Sequence, residues 1–168
     1  MKLLMALFLL LSACGSALSA QATRHPAFEG VWKVTEIVVT GEGASTVSTP
    51  QPSVFIFAKS HYSLMWVPGS TPRTLFKAQV PTNAEKLAAF DSLISNSGTY
   101  EVSGSTVTFR PIVAKGPNLA FIGQQFSIDG DTLTLTWLSS DSHVRIGQDV
   151  VRLTGPVSKT RIKLVRVE

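Results

Sequence analysis

After residue 30 the chain alternates apolar and polar side chains at the period of two that turns one row of a β-strand inward and the other toward solvent. The first such run spans residues 31–39, where Trp32, Val34, Glu36 and Val38 share the parity set by the tryptophan. Runs at 53–58 and 61–67 meet at Lys59-Ser60, a spacing that predicts a hairpin, and in the second Tyr62, Leu64 and Trp66 share a face. Further strands are predicted at 98–102, with Tyr100 and Val102 inward, and at 106–112, where Val107 and Phe109 alternate with threonines and Arg110. The next is 119–128, where Leu119 and Phe121 have one parity and Phe126 and Ile128 the other, which asks for a bulge near Gly123. Leu133, Leu135 and Trp137 face inward in 132–138, and Ile162, Leu164 and Arg166 share a parity in 160–167. Ser103-Gly104, Lys115-Gly116-Pro117-Asn118 and Asp129-Gly130 supply the turns.

The interruptions are as informative. Residues 40–52 are rich in Gly, Ser, Thr and Pro without apolar periodicity and read as a mouth loop. Residues 67–81 carry three prolines after the strand and are equally irregular. At 83–95 the period changes: Thr82 and Glu85 form a capping box, Leu87, Phe90 and Ile94 make one apolar stripe, and Asn96-Ser97-Gly98 is a stop. Residues 139–159 form a long polar connection with one short strand expected at 150–153. The pattern describes an all-β antiparallel barrel of about eight strands with one mid-chain helix packed on its end or flank. Trp32 fills its floor and Gly30 lets the backbone turn in tightly beneath it.

Composition agrees with one such domain, residues 23–168, since charged residues make up 15% of the chain and Thr, Ser, Val and Gly are plentiful. Residues 1–22 read as an export leader: Lys2 gives a positive start, and Leu3 opens an apolar run too short to span a bilayer. Two processing routes stand open. Ala20-Gln21-Ala22 is a cleavage site that releases a protein beginning at Thr23, whereas Leu11-Ser12-Ala13-Cys14 has the form of a bacterial lipobox, with a leader of 1–13 and Cys14 lipidated. Either product is exported, periplasmic or secreted in the first case and membrane-anchored in the second. Cys14 is the sole cysteine, so the fold needs no disulfide. Loss of Lys2 leaves 14 basic residues against 11 acidic ones, dispersed rather than striped, which argues against nucleic acid as a partner.

Catalytic motifs are absent. The chain has no G-x-S-x-G, H-E-x-x-H or P-loop, Gly41-Glu42-Gly43 lacks the third glycine of a dinucleotide fingerprint, and His25, His61 and His143 are scattered. No metal or cofactor is expected. Glu36 is the one charged member of an inward row. It is either a ligand-orienting group or acid/base, or it sits at a wet rim or beside a bulge that reverses the parity. Arg166 either stacks its guanidinium on Trp32 and donates to carbonyls where the chain enters the barrel, or stands in solvent.

Gly30-Val31-Trp32, Ser97-Gly98-Thr99-Tyr100-Glu101-Val102, Thr106-Val107-Thr108, Ile128-Asp129-Gly130-Asp131-Thr132-Leu133-Thr134-Leu135 and Lys163-Leu164-Val165-Arg166, in this order and spacing, resemble the bacterial lipocalin-like domain family. The likeness runs from Phe28 to Val167. It implies a calycin-type barrel with an internal cavity, with Gly30, Trp32 and Arg166 at the signature positions of the floor. The mid-chain helix and the missing cysteines depart from the secreted members of that family.

On this reading the cavity binds a small hydrophobic or amphipathic molecule. Tyr62, Trp66, Tyr100, Phe109, Phe121 and Trp137 line it, and Glu36, Gln125 or the mouth loops give orientation. Two other classes remain: a lipocalin-type isomerase or cyclase in which Glu36 and Tyr62 handle a proton, and a filled barrel acting as an envelope interaction module.

Overall fold

The computed structural model describes residues 25–116, 120–146, 149–152 and 154–168, and of residues 120–122 and 145–146 the backbone alone. The leader, Cys14 and both processing sites lie outside the described residues.

The strands are β1 (Gly30–Gly41), β2 (Ser45–Val47), β3 (Ser53–Ala58), β4 (His61–Trp66), β5 (Ile94–Ser103), β6 (Thr106–Ala114), β7 (Ala120–Asp129), β8 (Thr132–Leu138), β9 (Ser142–Ile146), β10 (Asp149–Arg152) and β11 (Ser158–Arg166), with helix α1 (Asn83–Asp91) between β4 and β5. Eight of them close a ring. β1 pairs β3, the meander continues through β4, β5, β6, β7 and β8, and β11 joins β8 back to β1, every pairing antiparallel. Closure joins the first and last strands of the ring through β11, so the ring has no edge strand.

Three short strands stand outside the ring. β2 pairs Ile37–Val39 on β1, so the stretch expected to be an irregular loop contains a strand. β9 pairs residues 120–122 of β7 and forms a hairpin with β10, giving two strands where the sequence led us to expect one. Both additions extend strands that outrun their ring partners, satisfying backbone groups that would otherwise face nothing.

The closed end is built around Phe28 and Trp32, neither of which has any exposed surface. A 3-10 turn, Pro26–Phe28, drops Phe28 into the barrel, where it packs on Phe57, Tyr100 and Phe126 at 4.7 to 5.7 Å between ring centroids. The Trp32 indole N–H donates to the Phe28 carbonyl at 2.9 Å, so the polar atom of the indole is satisfied. Arg166, directly opposite Trp32 in the β1–β11 register, lays its guanidinium over the indole at 4.1 Å. The same fork donates to the carbonyls of Ala27, at 2.9 Å, and Glu29. Gly30 holds φ at +132°, and a Cβ there would collide with the Glu168 carbonyl, which accepts the Val31 amide. The floor thus requires both the missing side chain and the planar cation.

The wall contains two irregularities. Between Val34 and Glu36 the β1–β11 register shifts, so that Ile37 rather than Glu36 becomes the next buried residue after Val34. Opposite Gly98 the β5–β6 register also shifts, leaving Ile112 out of the pairing beside Pro111, which has no amide to give. No shift interrupts the pairing of 122–125 with β6, so the bulge expected near Gly123 is not where the wall bends.

Helix α1 is shorter than the expected 83–95. Its capping box forms as the sequence indicates, with Thr82 Oγ1 accepting from the Glu85 amide and Glu85 accepting from the Thr82 amide at 2.8 Å. The Thr82 amide, then its hydroxyl and the Lys77 amide, hold the Glu85 carboxyl below the usual carboxylate range. The helix ends at Asp91, and Ile94 opens β5 opposite Trp66, where the sheet pairs the backbone that a further helical turn would have used. Leu87 is 62% exposed and no helical residue is buried. The helix is held instead by polar tethers: Arg73 donates to the Ala89 carbonyl and Lys115 to the Phe90 carbonyl.

Candidate functional site

Away from the packed floor the barrel interior is incompletely filled. Two adjoining cavities, of about 230 and 180 Å³, share the wall residues Leu64, Ile94, Asn96, Phe109 and Gln124. The smaller is apolar and aromatic, bounded by Phe55, Trp66, Leu135, Trp137 and Ile162. The larger adds Tyr62, Pro111 and, among the described residues, one charged side chain, Lys115. A third depression of about 560 Å³ lies between α1 and residues 67–77, outside the barrel wall.

The strands place these side chains by register. Tyr62, Leu64 and Trp66 are the inward row of β4, as their spacing indicates, and Tyr62 meets Phe109 of β6 with ring centroids 4.8 Å apart. Leu133, Leu135 and Trp137 form the inward row of β8, and Trp137 reaches the smaller cavity. Tyr62, Trp66, Phe109 and Trp137 are therefore brought together as lining. Tyr100 is not among them, since it lies in the floor cluster against Phe28 and Phe57. Phe121 contributes backbone pairing with His143, and its side chain is outside the described residues.

Both polar groups assigned to ligand orientation require correction. The bulge after Val34 puts Glu36 on the outer face, where it accepts from Arg161 at 3.0 Å and is 36% exposed, so it neither lines a cavity nor meets Tyr62. Glu36 thus avoids the cost of an unpaired interior carboxylate by leaving the interior. Gln125 also faces outward, bonded to Ser105 and Thr106. Its neighbour Gln124 is the inward residue, opposite the buried Val107, and lines both cavities. In a pair of adjacent glutamines nothing local distinguishes inner from outer; the register with β6 does. Asn96, masked in the sequence by its resemblance to a helix stop, is a cavity residue for the same reason.

Two buried polar atoms at this site are unsatisfied within the protein. The Tyr62 side chain is 4% exposed and Gln124 is 9% exposed, yet among the described residues neither the Tyr62 hydroxyl nor Gln124 Oε1 has a hydrogen-bond partner. A buried polar atom left unpaired costs about 1–3 kcal/mol, so a stable barrel does not retain two of them around one cavity without compensation. Burial also pushes the Tyr62 phenol well above its ordinary range, which keeps it a neutral donor.

Comparison of the chain with protein-family models, curated proteins and solved structures found no match in any of the three. The site is a pair of cavities edged by unpaired Tyr62 and Gln124 inside a closed eight-stranded antiparallel barrel with one helix.

Proposed function

We propose that this is an exported, lipocalin-like binding protein that holds one small amphipathic molecule in the barrel cavity. The single observation that carries the reading is the pair of adjoining cavities edged by buried, unpartnered Tyr62 and Gln124. Binding stabilises through burial of apolar ligand surface at about 25 cal/mol per Å² against Trp66, Phe109 and Trp137, with the polar wall setting orientation. The size limits the ligand. An interior cavity of roughly 150 Å³ admits benzene, so a space of about 180 Å³ next to one of about 230 Å³ suits a ring or short chain with a head group rather than a long acyl chain. The arginine-covered tryptophan of the floor and the meander order support the lipocalin-like assignment.

Native mass spectrometry of the protein isolated from the cells that make it tests the reading. A small noncovalent adduct is expected, and it should be lost from an Ile94→Trp variant, whose indole fills the wall common to both cavities. An adduct that persists in that variant, or a wild-type protein that carries none and takes up no one-ring aromatic compound, overturns the proposal.

A further inference from the structure

We infer that the ligand's head group is neutral and both donates and accepts a hydrogen bond, as a primary amide, lactam or alcohol does, and that Tyr62 and Gln124 select it. The inference rests on the cavity-binding reading above and adds the chemical class of the ligand.

Three observations lead to it. First, the two unpaired atoms differ in kind. Gln124 Oε1 is an acceptor and asks for an N–H or O–H, whereas the Tyr62 hydroxyl brings its own proton and asks for an acceptor. A bare hydrocarbon satisfies neither, and a carboxylate satisfies only the phenol while setting its charge against the glutamine oxygen.

Second, the one charged group among the described lining residues is already committed. Lys115 Nζ donates to the Phe90 carbonyl at 2.7 Å and sits 4.3 Å above the Phe90 ring, so it anchors α1 rather than standing free to pair an anion. Third, the remaining wall is apolar and aromatic, and Asn96 contributes a neutral amide. Desolvating a full negative charge in such a space without a paired cation is unfavourable, whereas a neutral head loses little and repairs both defects.

The test uses four compounds with the same one-ring body: benzamide, benzyl alcohol, benzoate and toluene. Their affinities for the wild-type protein are read from the indole N–H resonances of Trp66 and Trp137, with Trp32 in the floor as the internal control. Benzamide and benzyl alcohol are expected to bind about tenfold more tightly than toluene or benzoate, the factor that 1.4 kcal/mol of added hydrogen bonding gives. In Tyr62→Phe and Gln124→Leu proteins the preference should shrink to about twofold or less while toluene binding is kept, since an apolar pocket then recognises only the ring.

Benzoate or toluene binding the wild type as tightly as benzamide overturns the head-group inference and leaves the cavity reading standing. Failure of all four to move Trp66 or Trp137 overturns both.

Discussion

Replacing Arg166 by methionine tests the physical account of the barrel floor. The side chain makes three kinds of contact with unequal value. Its stack on Trp32 at 4.1 Å contributes about 1 kcal/mol, because the guanidinium is only partly in water there. The two donations to the Ala27 and Glu29 carbonyls bind the incoming chain to the last strand and contribute about 1 kcal/mol each after exchange with water. The ion pair with Asp131 at 3.3 Å adds almost nothing, since Asp131 is 78% exposed and its field is screened. Methionine keeps part of the apolar cover, so Arg166→Met should lose about 3 kcal/mol, and for a domain of this size the midpoint of thermal unfolding falls by roughly 10 °C. Urea titration followed by tryptophan fluorescence gives the free energy directly. The discriminating variant is Arg166→Lys, which keeps the charge but neither the plane nor the fork and should fall at least half as far. If Arg166→Lys matches the wild type while Asp131→Asn does not, charge pairing rather than stacking and carbonyl capture holds the floor, and the reasoning is wrong.

Other consequences are as direct. Gly98→Ala drives a Cβ into the Arg110 carbonyl and to 2.8 Å from Pro111 Cα, so it should cost about 3 kcal/mol or more in urea titration, and an unchanged midpoint would contradict the register shift there. Glu36→Gln breaks an exposed pair with Arg161 and should lower stability by less than about 1 kcal/mol while leaving the affinity for benzamide as it was; a loss of binding would return Glu36 to the cavity. Tyr62→Phe removes a buried hydroxyl without a partner, so the ligand-free protein should keep its stability or gain up to about 1 kcal/mol, whereas a loss of 2 kcal/mol or so would mean the hydroxyl is bonded. The raised Tyr62 pKa has a sign that alkaline unfolding can read. The fold favours the protonated phenol, so its contribution is complete below the ordinary value of 10.0 and declines as pH rises beyond it; alkaline destabilisation above about pH 10 should therefore be smaller in Tyr62→Phe than in the wild type.

What the chain discloses and what it conceals divide along a physical line. Period-two alternation locates strands whenever a turn residue marks each end, which is why the β3–β4 and β7–β8 hairpins are legible at Lys59-Ser60 and Asp129-Gly130. The floor is legible because glycine and tryptophan two residues apart have few other uses. Facing is harder, since one extra residue in a strand reverses every side chain after it. Thr35-Glu36 between buried Val34 and Ile37 marks such a place: two polar residues in succession inside an apolar run are the trace of the bulge, and parity counted straight through them misplaces Glu36. The helix end misleads for another reason. Leu87, Phe90 and Ile94 satisfy helical spacing, but Ile94 is claimed by Trp66 across the sheet, a partner on the far side of α1 that local pattern cannot reveal. Gln124 and Gln125 are alike locally and differ only in what β6 places opposite them.

The contrast between the two ends of the barrel explains why the cavity, not the floor, carries the functional reading. At the floor the Trp32 indole donates to Phe28 and the Arg166 fork to Ala27 and Glu29, and His25 Nδ1, buried without a partner among the described residues, belongs to a ring packed edge-on against Phe28 rather than set in a cavity wall. Edge-on aromatic packing of Phe28 against Phe57 and Phe126 gives that end its cohesion. In the cavity the same chain leaves a phenol and an amide oxygen unpaired among side chains that phenylalanine and leucine would replace at lower cost. A barrel under no demand but stability would bury apolar groups at both ends. Retaining polar atoms where apolar ones pack better is the pattern of a site whose partner arrives from outside, and the kind of those atoms, one donor and one acceptor lining the larger cavity, describes the partner.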